Sequence, residues 1–173
     1  MFAILVAAII LQRLVELVVA KRNTSRLLAR GAVEFGAEHY WVLVAVHVFF
    51  FCSLIAEGVV QGAELSKHWT VFLTVFIFAQ LGRVWVIRSM RGRWTTRIIV
   101  LPGEALVSSG PFRFISHPNY WIVAIEIFTL PMAFSLYGTA IAASILNAIV
   151  LLTIRIPVEN RALANSKSQN LTS

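Results

Sequence analysis

Two short stretches of this chain carry the residue types that chemistry needs. The first is Gly110-Pro111-Phe112-Arg113-Phe114-Ile115-Ser116-His117-Pro118-Asn119-Tyr120. Two prolines fix its backbone, His117 contributes a titratable ring, and Tyr120 adds a phenol beside an apolar run. The second is Arg155-Ile156-Pro157-Val158-Glu159, where guanidinium and carboxylate are four residues apart and face together if one helix passes through both. Arg155 is a permanent cation able to grip an anionic oxygen bidentately, and Glu159 offers an acceptor or a negative charge beside a cation. The plainer alternative is a snorkelling arginine in a surface ion pair worth under ~1 kcal/mol. Pro157 cannot donate to its i−4 carbonyl, which predicts a kink or restart between the two residues. A connector between helices needs none of these groups merely to connect, so the first stretch reads as one wall of a small-molecule site.

The elements that must position these residues are membrane helices. Of the 173 residues, 58% are hydrophobic and 13% charged, with a mean hydropathy of +0.79; an average soluble domain is about 25% charged. A bilayer-spanning helix needs about 20 mainly apolar residues. Five stretches qualify, at about Phe2–Ala20, Trp41–Val60, Trp69–Ile87, Tyr120–Leu136 and Tyr137–Ile156, with Gly138 as the turn of a tight hairpin between the last two. The expectation is an all-α integral membrane protein of five transmembrane helices, a single domain over 1–173, with its site drawn mainly from 88–120 and 155–163. The first segment lacks a basic n-region and a cleavage site, so it reads as a retained helix.

The net charge of +7 follows from topology and does not call for nucleic acid. Lys21, Arg22, Arg26 and Arg30 in the first loop, Arg88, Arg91, Arg93, Arg97 and Arg113 in the third, and Arg161 and Lys167 in the tail fall on one side; Lys67 alone falls on the other. The positive-inside rule then puts the N-terminus outside and the site and C-terminus in the cytoplasm. A water-soluble cofactor reaches such a site from the cytosol, and a lipid-tailed substrate reaches it sideways from the bilayer. Cys52 stands alone, and no HExxH or CxxC spacing points to a metal.

Ionisable groups within the spans invite functional readings. Gln12, Arg13 and Glu16, then His47, then Gln80 and Arg83, then Glu126 and Asn147 are read first as interhelical hydrogen bonding and snorkelling. Arg83 and Glu126 also lie near enough to the cytoplasmic side to line the site. Glu38 and His39, in the run Glu34–Tyr40, are either ligands or an acid/base pair, or part of an interfacial segment with Tyr40 and Trp41 as its aromatic belt.

The segment Val107-Ser108-Ser109-Gly110-Pro111-Phe112 … Ser116-His117-Pro118-Asn119-Tyr120, followed by Arg155…Glu159, resembles the isoprenylcysteine carboxyl methyltransferase family, integral-membrane enzymes that use S-adenosylmethionine. Gln12-Arg13-Leu14-Val15-Glu16-Leu17 and Arg93-Trp94-Thr95-Thr96-Arg97 … Leu101-Pro102-Gly103-Glu104 look more like a bacterial subgroup, some members of which O-methylate alkylpyrones. The resemblance implies that Glu104, Ala105, Leu106 and Val107 line the cofactor's adenosine part, and that Phe112, His117, Pro118, Asn119 and Tyr120 enclose it. It also implies that Glu159 contacts the cofactor, that Arg155 holds the substrate's acidic oxygen, and that Arg97 is a further cofactor contact. The family commonly has His in place of Glu104, Tyr in place of Phe112, Arg in place of Ser116, a second Glu in place of Asn160, and a longer aromatic tail than Ala164–Ser173. These departures bear on the substrate more than on methyl transfer.

The implied reaction suits these residues. Displacement from a sulfonium by a carboxylate or enolate needs alignment and fixed charges more than a strong base; a neutral hydroxyl nucleophile would instead need His117 or Glu159 as base. No GxGxxG motif follows a predicted strand, which argues against a soluble dinucleotide-type methyltransferase fold. The expected function is methylation of the carboxylate of a lipid-tailed, isoprenylcysteine-like substrate drawn from the membrane lipids, with an alkylpyrone or polyketide enol as the alternative acceptor. A reading of another class is a small membrane transporter using Arg13, Glu16, His47 and Glu126 as a polar path, but the unusual residues concentrate at one face. A purely structural membrane subunit is the third.

Overall fold

The computed structural model describes residues 1–169, with side chains through Ala164; the side chain of Lys167, counted among the tail charges, and residues 170–173 lie outside what is described. The chain runs α1 (Phe2–Ala29), β1 (Val33–Phe35), α2 (Tyr40–Gln61), α3 (Trp69–Ser89), β2 (Ile98–Val100), α4 (Pro118–Ala133), α5 (Tyr137–Val150), a π turn (Leu151–Arg155) and α6 (Ile156–Gln169). It is an integral membrane protein. The stretches Phe2–Ala29, Ala37–Gln61, Trp69–Ser89 and Tyr137–Ala164 are long and apolar enough to cross a bilayer.

Four of the five expected spans reach that length; α4 is shorter, yet its last residue, Ala133, accepts from the main chain of Ser66 between α2 and α3 (3.0 Å), so it carries the chain from one end of the bundle to the other. α4 has 16 residues, which at 1.5 Å per residue reach about 24 Å against a hydrocarbon core of about 30 Å. Its bounds follow from the chain: Pro118 opens it at the first helical position, and Pro131 and the left-handed Ser135 (φ 58°) end it. Most of its residues are buried, so it is the core about which the other helices pack. Two smaller expectations also change. The cations Lys21, Arg22 and Arg26 are not in a loop, because α1 runs unbroken to Ala29 and lifts them past the apolar stretch on its last turns, with Arg30 just beyond its end. The hairpin turns at Phe134–Leu136, whereas Gly138 lies inside α5. Gly138 and Thr139 instead donate their backbone N–H groups to Glu57 Oε1 (3.0 Å) and Oε2 (2.6 Å), so a carboxylate from α2 caps the start of α5. A Cβ on Gly138 would lie 3.1 Å from that carboxylate, which explains the glycine.

The main apolar core gathers Val6, Ile9, Phe50, Leu54, Phe76, Ile127, Leu130 and Phe134 toward the Glu57 end. A second cluster of Ala20, Ala79, Val86, Trp94 and Ile122 lies toward the opposite end, where β1 pairs antiparallel with β2 (Val33 opposite Val100, Phe35 opposite Ile98) over Ala162. That ribbon is the one departure from the expected all-α class among the described residues.

Between the clusters α1, α3 and α4 are joined by charge. Arg83 clasps Glu126 with Nε (3.0 Å to Oε1) and Nη2, and its side chain is 5% exposed. Arg13 reaches Glu126 Oε2 at 2.9 Å and Glu16 Oε2 at 2.6 Å, and Gln12 bridges Glu16 (3.0 Å) to Gln80 (3.2 Å). Arg83 and Glu126, which the sequence also admitted as site residues, thus face α1. The two cations and two anions cancel, as a group of charges removed from water must. His47 donates from Nδ1 to the Leu43 carbonyl (2.9 Å) and, with Arg13 and Glu126, lines a cavity of about 20 Å³, room for a single water. Replacing one charge is therefore expected to harm the fold more than replacing an opposite pair. Glu126→Ala should destabilise the protein by about 3–5 kcal/mol, whereas Arg83→Met with Glu126→Leu should recover most of the loss. Thermal unfolding in detergent checks both.

Candidate functional site

The loop before α4 is held against the end of α3 by a close approach that only glycine permits. Gly110 has φ +62°, and a Cβ there would fall 2.2 Å from Ser89 Oγ. The 3₁₀ turn Gly110–Arg113 follows, with Pro111 buried. His117 then precedes Pro118, and Tyr120 follows on the first turn of α4. From the other side come Arg155 and Glu159. The kink or restart expected at Pro157 takes the form of the π turn Leu151–Arg155, after which α6 begins at Ile156, and it leaves both side chains on one face. Arg155 Nε stands 3.9 Å from Glu159 Oε2.

The phenol of Tyr120 sits between them. It accepts a hydrogen bond from Arg155 Nε (2.9 Å) and donates to Glu159 Oε2. Arg155 Nη2 donates to the main-chain carbonyl of Thr96 at 3.1 Å. On the far side of Glu159, His117 Nδ1 lies 3.6 Å from Oε1, while Nε2 lies 3.0 Å from Asn160 Oδ1. The rings of His117 and Tyr120 stack at 5.4 Å with 20° between their planes. The result is a line of cation, phenol, carboxylate and imidazole at one end of the bundle. Two acceptors on the two ring nitrogens favour the imidazolium, in which both donate. The Glu159 carboxylate holds the pKa of His117 above the ordinary histidine value, against the opposing effect of burial, with Glu159's charge and Asn160 adding to the rise.

The structure thus brings His117, Tyr120, Arg155 and Glu159 together. Pro118 starts α4, and the adjacent Asn119 has its Oδ1 buried without a protein partner. Phe112 packs against the Val86–Trp94 cluster behind the loop. Glu104 pairs with Arg30 and Arg93, each at 3.2 Å, and Arg93 also donates to the Ala105 carbonyl at 2.9 Å. Leu106 is exposed and Val107 half-buried beyond that clamp. Arg97 pairs with Glu34 at 2.7 Å and lies 4.6 Å over the Tyr40 ring. Glu38 and His39 form an exposed pair at 3.5 Å. Two residues of this cluster carry little signal of their own in the sequence. Thr96 takes part through its main chain, to which any residue type contributes alike. Asn160 stood out only by departing from the family pattern.

The model of the isoprenylcysteine carboxyl methyltransferase family matches residues 71–165, a stretch that contains His117, Tyr120, Arg155 and Glu159. A Bacillus subtilis protein described as the uncharacterized protein YpbQ is 40% identical over 163 residues, covering 94% of this chain and 96% of its own. An uncharacterized protein of Haemophilus influenzae is 28% identical over 160 residues, covering 92% of each chain. No solved structure matches the chain.

The raised pKa of His117 sets a direction for stability against pH. A group whose pKa rises on folding adds stability that is complete below its unfolded value, about 6.5 for histidine, and is lost as pH climbs through the folded value. The melting temperature of the wild type should therefore fall as pH rises from about 6.5 through the folded value, and His117→Gln should flatten that decline. An NMR titration of labelled histidine should place His117 above its ordinary value and show it lowered in Glu159→Gln.

Proposed function

The chain belongs to the isoprenylcysteine carboxyl methyltransferase family, and from that premise we propose that it is an S-adenosylmethionine-dependent O-methyltransferase acting on the carboxylate of a lipid-tailed, isoprenylcysteine-like acid. Membership makes it a membrane methyltransferase. The observation that carries the finer reading is the Arg155–Tyr120–Glu159–His117 line, a fixed cation and a fixed anion held a few ångströms apart at one end of a membrane bundle.

The residues fit such a cofactor. Glu159 keeps a quarter of its side chain exposed and offers negative charge to a cation, and the orphaned Asn119 Oδ1 lacks a donor such as an amine or hydroxyl. His117, Pro118, Asn119 and Tyr120 would hold the cofactor from α4, with Glu159 from α6 and Phe112 behind. Glu104, Ala105, Leu106, Val107 and Arg97 are the further contacts implied by the family pattern. S-adenosylmethionine, when bound, supplies an electrophilic methyl group on a sulfonium. Arg155 then holds the acceptor's anionic oxygen with the guanidinium edge that Tyr120 and Thr96 leave free. An acid already ionised near neutral pH needs no proton removed, so orientation and fixed charge suffice. His117, already engaged with Glu159 and Asn160, steadies Glu159 and takes no proton from the acceptor. We place this end of the bundle in the cytoplasm and the N-terminus outside, a reading supported by the bias of arginine and lysine toward this end, with the acceptor arriving from the bilayer.

Arg155→Ala should lower kcat/KM for methyl transfer by at least about 100-fold, a loss of roughly 3 kcal/mol of transition-state stabilisation. Affinity for S-adenosylmethionine should change little. Retained turnover would remove Arg155 from its role. Transfer of labelled methyl groups into a lipid extract identifies the product. Methanol released by mild base marks a carboxylate ester, while a base-stable methyl ether would mark an enol acceptor of the alkylpyrone kind and overturn the choice of substrate.

A further inference from the structure

The segment Trp94–Arg97 has no regular secondary structure before β2, yet it is tied down from three separate elements. Asn23 of α1, buried, donates to the Trp94 carbonyl at 2.8 Å. The Tyr40 hydroxyl, on the first residue of α2, is bonded to Thr96 Oγ1 at 3.1 Å. Glu34 of β1 pairs with Arg97 at 2.7 Å, and the Arg97 guanidinium covers the Tyr40 ring. Within the segment Thr95 Oγ1 donates to the Arg97 carbonyl at 2.6 Å, closing a tight local turn. What this lashing presents outward is the Thr96 carbonyl, which accepts from Arg155 Nη2. A loop carbonyl needs no such reinforcement to satisfy itself, since water would serve. A guanidinium that must meet one oxygen in one orientation gains from it, because small misplacement of a positioning contact weakens catalysis disproportionately.

We propose that Tyr40 and Thr96, steadied by the Glu34–Arg97 pair, are positioning residues that orient Arg155 through the Thr96 carbonyl. Arg155 is then aimed from two sides. Tyr120 fixes Nε and Thr96 fixes Nη2, and the remaining edge of the fork is left for an anionic oxygen. The arrangement assigns the N-terminal third of the chain, which lies outside the family match, a part in a site otherwise built from α4 and α6. It also gives Arg97 a task on the protein side. The consequence for turnover rests on the reading of Arg155 as the holder of the acceptor's oxygen; the positioning itself does not.

The test reads Arg155 directly. Phenylglyoxal modifies accessible, unrestrained arginines, and peptide mass mapping in detergent resolves the modification at Arg155 from that at other arginines. Arg155 in the wild type should react slowly. Tyr40→Phe, which keeps the ring under Arg97 but removes the hydroxyl, should speed its modification about fivefold, the equilibrium worth of one ordinary hydrogen bond. Thr96→Val should do the same, the double variant should go no further than either single change, and Thr96→Ser, which restores the hydroxyl, should return the rate toward that of the wild type. In methyl-transfer assays Tyr40→Phe should lower kcat/KM for the lipid acid while affinity for S-adenosylmethionine stays as it was. Unchanged Arg155 modification in Tyr40→Phe and Thr96→Val would overturn the proposal, as would additive effects of the two. A loss of cofactor affinity with Arg155 modification unchanged would overturn it as well, and would move the cluster to the cofactor. Absence of methyl transfer by the wild type would sink the functional reading alone, because the modification experiment decides the positioning without it.

Discussion

A charged side chain inside a membrane bundle has no water to turn to, so it must be answered by other side chains. In this protein that constraint falls on Arg83 and Glu126, both almost fully buried, and on Arg13 and Glu16 beside them. Their mutual bonds admit one relative height for α1, α3 and α4. Apolar contacts alone would not choose it, since lipid tails are as apolar as the residues that meet them. Once that height is set, the ends of these helices are set as well. Ser89 meets Gly110, Asn23 meets Trp94, and the loop carrying His117 and Tyr120 arrives beside the last helix.

The same economy governs the site. Arg155 is mostly buried at the end of a π turn, and it is satisfied by a phenol, a main-chain carbonyl and a nearby carboxylate. The π turn matters because it reconciles two demands of one sequence. Pro157 forbids an ordinary helical bond, while Arg155 and Glu159 need a continuous helix to face the same partner. One wider turn placed just before the proline meets both. The hydrogen bond from Tyr120 to Glu159 then links α4 to α6, and His117 closes the line through Asn160.

Much of this was legible in the chain. Long apolar runs announced the membrane, the arginine bias marked one end as distinct, and His117, Tyr120, Arg155 and Glu159 stood out because side chains of their kinds seldom occupy such positions without a partner. The last residues of α4 were harder to read, because an apolar run does not reveal where the backbone turns. Ser135 adopts its left-handed turn beside Pro131 with no glycine to advertise it. The ribbon of Val33–Phe35 and Ile98–Val100 was invisible for a different reason, since strands of three residues far apart in sequence carry no periodicity of their own.

What the sequence determined by itself was the class of molecule, its family and the side chains that stand out as candidates for a site, because hydropathy, charge and residue chemistry are properties of each residue wherever it lies. Only the tertiary structure decided which buried charges neutralise each other, that Pro157 leaves Arg155 and Glu159 on one face, and that Thr96 meets Arg155 across 59 positions. Those outcomes depend on distances between segments remote in the chain. A main-chain carbonyl, the same in every residue, acquires a role only when the fold brings a guanidinium to it.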